Sequence, residues 1–352
     1  MLFWFLPLFI LGGFGMYGLQ VAGLGLAFGL LFLFSLRIKT SRLKFPKYFS
    51  WYLTFLAVFA LSLLWSTQLG ISVQYLVLFA SGGCFWLSAY NLQDSGKSAK
   101  YLVIDLALIF SLFFLIQNQR PLERNFLSLF SIATQNHNHI GDIWAIALIP
   151  VVFSIMTNKK RALSLLLGIL GTYFVYISES RSAVVAIGAG TAYLFWKNGW
   201  IDKYRKPFVF LAGITVTLFI AMGMTKSTLF SRPYVLEGIV GLPKYPFGVG
   251  VGSFEKISSE FPLEMFGRNT FSIYAHSLPI EILVGLGVLS LIFFAWLIKV
   301  SEDLAYNSGK QTVLLQAMFF GLLGNFLFDT TYFIPTMLWL WFTLLGLAQA
   351  KE

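Results

Sequence analysis

The chain has 352 residues, of which 57% are hydrophobic and only 11% charged, and it carries a formal net charge of +10. Soluble domains carry about 25% charged residues, so this composition excludes an ordinary soluble enzyme, and apolar runs of roughly 17–22 residues recurring from end to end leave no room for a separate water-soluble domain. The basic excess also fits nucleic-acid binding, but in so apolar a chain it reads as topological, because Lys and Arg retain loops in the cytoplasm.

At the N-terminus, Leu2–Leu11 has no basic flank and no clean small-residue cleavage site, so it reads as part of a retained first span and not as a signal peptide. Spans are predicted at 2–17, 20–36, 49–66, 72–90, 101–117, 140–157, 162–178, 182–197, 207–224, 277–298, 311–328 and 332–349. The first two are hard to separate, because Gly12, Gly13 and Gly15 blur their boundary. The expected fold is all-α: a polytopic membrane protein of about 12 transmembrane helices, one integral domain over 1–352 with one large periplasmic or extracellular loop.

Placing the N-terminus in the cytoplasm puts most of the 25 Lys and Arg residues in short inside loops, among them Arg37 to Lys47, Lys159 to Arg161 and Lys197 to Lys206. Arg120, Arg124, Arg181, Lys226, Arg232, Lys244, Lys256 and Arg268 remain outside. This asymmetry sets topology, with both termini cytoplasmic in the inner or plasma membrane. The single cysteine, Cys84, permits no internal disulfide and reads as packing.

Two outside segments stand out. One, 118–139, ends Asn136-His137-Asn138-His139. The other, 225–276, is the only long hydrophilic stretch, and its Pro, Gly and aromatic content predicts short helices at the membrane surface. All three histidines, His137, His139 and His276, fall on the outside face. Histidine suits proton transfer near neutral pH; His276, where the long loop re-enters the membrane, reads either that way or as an interfacial residue satisfied by a backbone carbonyl. Arg181, in Ser178-Glu179-Ser180-Arg181-Ser182 between two spans, is costly so near the membrane unless it has a partner. That partner is a substrate or the adjacent Glu179. Arg232 opens Ser231-Arg232-Pro233-Tyr234 and reads as a phosphate-binding group or a solvated loop charge.

Gly248-Val249-Gly250-Val251-Gly252 fits neither glycine fingerprint for nucleotides and reads as a tight turn that permits close backbone approach. Pro262 interrupts the helical spacing of Glu260 and Glu264, which with Glu255 read as solvated loop charges, and His137 and His139 at i, i+2 do not make a helical zinc pair. No metal site is expected. Asp105, Asp142, Asn325 and Asp329 read as pathway residues or as interhelical hydrogen-bonding groups.

Taken together, the pattern resembles the O-antigen ligase and polymerase family of bacterial polytopic membrane glycosyltransferases. The likeness rests on Asn136-His137-Asn138-His139 before a span that reaches Pro150, and on the Ser180-Arg181-Ser182 turn. It rests further on Arg232 followed by Pro246-Phe247-Gly248-Val249-Gly250 and Phe254, and on Ala275-His276-Ser277 followed by Glu281 and Gly285-Leu286-Gly287. Ser277 stands where the family usually has Asn, Pro279 follows it, and the chain is short for the family. The resemblance implies transfer of a saccharide from a polyprenyl-diphosphate donor to an acceptor hydroxyl on a glycolipid or glycan, with no cofactor and no nucleic acid. It implies that His276 serves as general base or orients the acceptor, and that Arg181 and Arg232 stabilise the leaving diphosphate. Ser277 and Pro279 read as a helix start, which places His276 just before the helix and Glu281 in its opening turns, where Glu281 fixes His276 and Asn138 adds a hydrogen bond. A lipid-linked saccharide transporter or flippase, a scaffold, and a cell-wall glycosyltransferase relying on Glu255, Glu260 or Glu264 are the competing readings.

Overall fold

The computed structural model describes residues 6–14, 19–40, 42–92, 96–119, 138–157, 161–203, 234–262, 264–265, 268–269, 271–307 and 312–350. The first helices are α1 (Leu6–Phe14), α2 (Leu19–Thr40), α3 (Phe49–Ser62), α4 (Leu69–Tyr90) and α5 (Gly96–Gln119). They are followed by α6 (Asn138–Met156), α7 (Arg161–Ser178), α8 (Arg181–Lys197), α9 (Trp200–Lys203), α10 (Tyr234–Gly241) and α11 (Phe254–Glu260). The last are α12 (Leu278–Leu286), α13 (Leu291–Asn307), α14 (Val313–Phe326) and α15 (Pro335–Gln349). Short 3-10 turns at Leu63–Trp65, Gly287–Ser290 and Thr331–Phe333 extend α3, join α12 to α13 and precede α15. Two-residue strands β1 (Glu264–Met265) and β2 (Arg268–Asn269) pair antiparallel.

Each predicted span overlaps helix in the described residues, except 207–224, which lies outside them, and the tenth, 277–298, takes in two helices, α12 and the start of α13. Among the described residues, five segments are long and apolar enough to cross a membrane: Leu19–Lys39, Leu69–Tyr90, Asn138–Met156, Arg161–Ser178 and Leu278–Tyr306. Phe49–Trp65 and Val313–Phe326 are shorter apolar helices. The tenth predicted span ends at 298, but its helix runs to Asn307. The extra turns are charged and are held by a Lys299–Glu302 pair one turn apart and by Lys47 on Asp303 at 2.9 Å. Hydropathy stops before such a helix does.

The outer surface is apolar. Leu163, Leu166, Ile169, Tyr173 and Tyr176 recur at helical spacing along α7 and are exposed, Ile169 by 71%. Leu24, Leu31, Phe34 and Ile38 do the same on α2. Stripes of this size are what a hydrocarbon solvent covers. The centre is α15, buried without interruption from Pro335 to Ala348. Beside it, Tyr52 lies 5.1 Å from both Trp296 and Phe342 and 5.7 Å from Trp86, in aromatic contacts that favour tilted and edge geometry.

Helices in lipid gain little from apolar burial against one another, so close backbone approach through small residues holds them. Ala186 and Gly190 of α8 meet Gly321 and Ala317 of α14 in this way, and Gly324 meets Ala189. A Cβ on Gly190 would stand 2.9 Å from the Ala317 carbonyl, and one on Gly321 would stand 3.1 Å from that of Ala186. Replacing Gly190 by Leu is expected to force α8 from α14 and destabilise the fold by about 1–3 kcal/mol, the usual cost of overpacking. Thermal unfolding in detergent measures this; an unchanged midpoint would show that the two helices do not depend on the contact.

Polar contacts gather at the two ends. At one end Asn91 bonds the backbone of Lys44 in both directions at 2.8 Å, Lys47 meets Asp303, and Gln349 accepts from Trp86 at 2.9 Å. At the other end the 246–255 loop is fixed to the α3–α4 junction. Thr67 N–H donates to Val249 O at 3.0 Å, Trp65 Nε1 to Phe247 O at 3.0 Å and Ser72 Oγ to Val251 O at 2.6 Å.

Candidate active site

The second polar end is assembled by one reversal of chain. Helix α7 ends at Ser178, Glu179 takes the left-handed conformation (φ 52°), and Ser180 caps α8 by accepting the Ala183 N–H at 3.2 Å. Arg181 is therefore the first residue of α8 and is half-buried. Gly141 lets α6 close on this turn, since a Cβ there would stand 1.9 Å from Ser178 Oγ. Its neighbour Asp142, fully buried, accepts at Oδ1 from Asn325 Nδ2 (2.8 Å), and the same oxygen is in hydrogen-bond contact with Ser180 Oγ (2.6 Å) and Ser182 Oγ (2.9 Å). The two serines flanking Arg181 thus tie its turn to α6.

Asn325 extends the network. Its carbonyl oxygen accepts from Thr331 Oγ1, so one amide links α14, α6 and the 3-10 turn before α15. The bend just before that turn carries Asp329, which takes the Thr330 N–H at Oδ1 and Ser182 Oγ at Oδ2 (2.9 Å). Asp329 lies within electrostatic reach of both His139 and His276.

His276 is delivered by a different device. The glycines at 248, 250 and 252 all have positive φ (79°, 92° and 85°), which side chains other than glycine rarely adopt. They bring the loop onto the end of α12, where Val249 N–H donates to Val284 O at 3.1 Å and Gly250 N–H to Gly285 O at 3.0 Å. Gly287 (φ 56°) breaks the helix there, and Val288 N–H donates back to Pro246 O at 2.8 Å. The glycine run is thus a backbone-to-backbone dock, as its spacing predicts. At the other end of α12, Glu281 is buried, and its carboxylate accepts from Gly252 N–H (3.0 Å), Ala275 N–H (3.1 Å) and Tyr332 OH (3.3 Å). It joins the glycine loop, the residue before His276 and the turn before α15. His276 itself is half-buried with φ 50°, a strained conformation for a residue with a Cβ.

The predicted site residues stand as follows. Asn138 opens α6 one turn before Asp142, Arg181 opens α8, and His276 precedes α12, whose first turn carries Glu281. Ser182 links Asp142 to Asp329, and Tyr332, three residues beyond Asp329, donates to Glu281, so these positions come to one end of the bundle. Glu281 acts on the backbone beside His276, through Ala275 N–H. Arg232 and His137 lie outside the described residues. Asp142, Asn325 and Asp329 were each visible in the sequence as polar residues near span ends, but not as one cluster. Ser180 and Ser182 stood out in the sequence only as the flanks of the Ser-Arg turn, and Thr331 and Tyr332 carried no sequence signal of their own.

The loop glutamates are engaged elsewhere. Glu255 accepts from Gln68 Nε2 at 2.8 Å. Glu260 ends α11 and meets Lys244 (2.8 Å), Lys256 (2.6 Å) and Tyr245 OH (2.7 Å), while Glu264 lies in β1, so the two share no helix face. Lys244 first, then Lys256 and Tyr245, lower the Glu260 carboxyl to about 2. A carboxyl lowered on folding stabilises the fold above its ordinary range and stops doing so as pH falls through the lowered value. The clamp is therefore complete at neutral pH and released only toward pH 2. Among the described residues no three His, Cys, Asp or Glu side chains are grouped to hold a metal ion. No family model, no curated protein and no solved structure matches the chain.

Proposed function

We propose that the chain is a membrane glycosyltransferase with about 12 crossings and both termini cytoplasmic, and that it transfers a saccharide from a polyprenyl-diphosphate donor to an acceptor hydroxyl at the outer face of the membrane. The observation that carries the reading is the gathering of Arg181, His276 and the buried Asp142 and Asp329 at one end of an otherwise apolar bundle. Polar groups at such a depth are costly and mark function.

In this mechanism the acceptor oxygen attacks the anomeric carbon while the bond from that carbon to the diphosphate oxygen breaks. His276 takes the acceptor proton as general base, and the Asp329 carboxylate stabilises the imidazolium that forms. Arg181 and the N-terminal N–H groups of α8 receive the negative charge that grows on the departing diphosphate. Asn138 hydrogen-bonds the acceptor, and Glu281 positions the backbone of His276. Ligase and polymerase activities use the same chemistry and differ only in acceptor.

Substitution of Arg181 tests the reading. Arg181→Ala is expected to lower transfer about 10²–10³-fold, the cost of removing one preorganised charge-stabilising group. Arg181→Lys, which keeps the charge but loses the planar fork, is expected to retain part of the rate. Transfer by purified protein in nanodiscs is the measurement, and wild-type rates in Arg181→Ala would remove the arginine from the mechanism. The buried carboxylate pair also favours a second reading, a proton-linked carrier of the lipid-linked saccharide. In that case the purified protein would translocate the donor and transfer nothing.

A further inference from the structure

Asp142 Oδ1, Ser180 Oγ, Ser182 Oγ and Asp329 Oδ2 form a chain of short contacts. Ser180 lies 2.6 Å and Ser182 2.9 Å from Asp142, the two serines are 2.8 Å apart, and Ser182 is 2.9 Å from Asp329. If both carboxylates were ionised, only the two serine protons would be present to separate these four oxygen pairs, because an ionised carboxylate accepts and cannot donate. Two pairs would then face each other lone pair to lone pair inside the bundle.

The two acids have different surroundings. The described partners of Asp142 are Ser180, Ser182 and Asn325, all neutral, and its second oxygen, Oδ2, is buried without a hydrogen bond. Asp329 accepts the Thr330 N–H and hydroxyl at Oδ1 and lies near the imidazoles of His139 and His276. An extra proton therefore belongs on Asp142 and the negative charge on Asp329. Neighbouring carboxyls that interact this closely hold their protons as a pair.

We propose that Asp142 is a neutral carboxylic acid whose O–H donates to Ser182, which in turn donates to the Asp329 carboxylate, so that the pair presents a single negative charge beside the histidines. Asp142 is thereby a positioning residue. Its proton gives Ser182 one orientation, and that orientation aims the hydroxyl at Asp329. A second ionised carboxylate at this place would repel a diphosphate and compete for Arg181. The catalytic consequence rests on the glycosyl-transfer reading; the proton itself does not.

Infrared spectroscopy of the full chain in nanodiscs tests the proton directly. Wild type at neutral pH is expected to show the C=O stretch of a buried neutral carboxylic acid, which moves in heavy water and is missing from Asp142→Asn. No such band in the difference between the two proteins would overturn the proposal, whatever the protein does to substrates. Transfer supplies the second readout. Asp142→Leu, which has no donor, is expected to lose about tenfold or more, the rate equivalent of a lost hydrogen bond near 1.4 kcal/mol. Asp142→Asn, whose amide N–H replaces the acid O–H, is expected to recover most of that loss, whereas Asp329→Asn is not. Loss in Asp142→Asn as deep as in Asp142→Leu, with both proteins folded, would show that the carboxylate and not the donor is needed, and the proposal would fail.

Discussion

Replacing His276 by Ala is expected to lower saccharide transfer about 10²–10⁴-fold, the range a positioned general base contributes, while the helical fold is kept. The residue lies outside the helices, just before α12. It occupies a left-handed turn before α12, and Glu281 secures that turn through the backbone of Ala275 and not through the imidazole's place in a helix. His276→Gly is the informative companion, because glycine adopts φ 50° without strain. It is expected to be at least as stable as wild type and as inactive as His276→Ala, separating the chemistry of the imidazole from the strain of its backbone. Circular dichroism and thermal unfolding in detergent check the fold, and turnover checks the chemistry. Transfer at wild-type rate in either variant would take His276 out of the mechanism.

Glu281→Ala is expected to have the largest effect on stability among the site residues. It leaves Gly252 N–H, Ala275 N–H and Tyr332 OH without their acceptor in a buried place. Each donor so stranded costs about 1–3 kcal/mol, so several kcal/mol are at stake. The loss falls on the glycine loop, the turn bearing His276 and the turn before α15 together. A lower unfolding midpoint should therefore come with faster amide exchange over 248–252 and 274–277, and with lost transfer. Glu281→Gln keeps the shape and one acceptor oxygen and should lie between wild type and Ala. An unchanged midpoint in Glu281→Ala would show that the three contacts do not hold this end of the bundle.

The parts of this architecture that were legible in the sequence are those with local causes. Apolar run length located the long helices, Gly248, Gly250 and Gly252 announced a close-approach turn, Pro262 announced that Glu260 and Glu264 share no helix face, and Ser277 with Pro279 announced the start of α12. Within 225–276, Tyr234–Gly241 and Phe254–Glu260 are short helices. The short Ser-Arg turn is also as expected, with Glu179 and Ser180 alone joining helices α7 and α8.

What was not legible has non-local causes. Asp142 meets Ser180 across 38 positions and Asn325 across 183, distances no window spans. Glu281 was expected beside the His276 side chain. Its actual partners include Gly252, which lies 29 positions before it and is brought near only when the glycine loop docks on α12. The break at Gly287–Ser290 was read as continuous helix, because nothing local shows that the Pro246 carbonyl needs the backbone N–H of Val288. The small residues of α8 and α14 are ordinary in sequence and matter only once Ala186, Gly190, Ala317 and Gly321 face each other.

The central claim is that this bundle end transfers a saccharide and does not merely hold or carry one. The most direct test places purified wild-type protein in nanodiscs with a polyprenyl-diphosphate saccharide and a panel of hydroxyl acceptors, with and without a chelator, and measures the glycosylated acceptor and the released polyprenyl diphosphate. The account predicts that both products form in equal amounts, that the chelator leaves them unchanged, and that His276→Ala makes neither. Binding of the donor with no product from any acceptor, identical in wild type and His276→Ala, would contradict it and point to a carrier of the lipid-linked sugar.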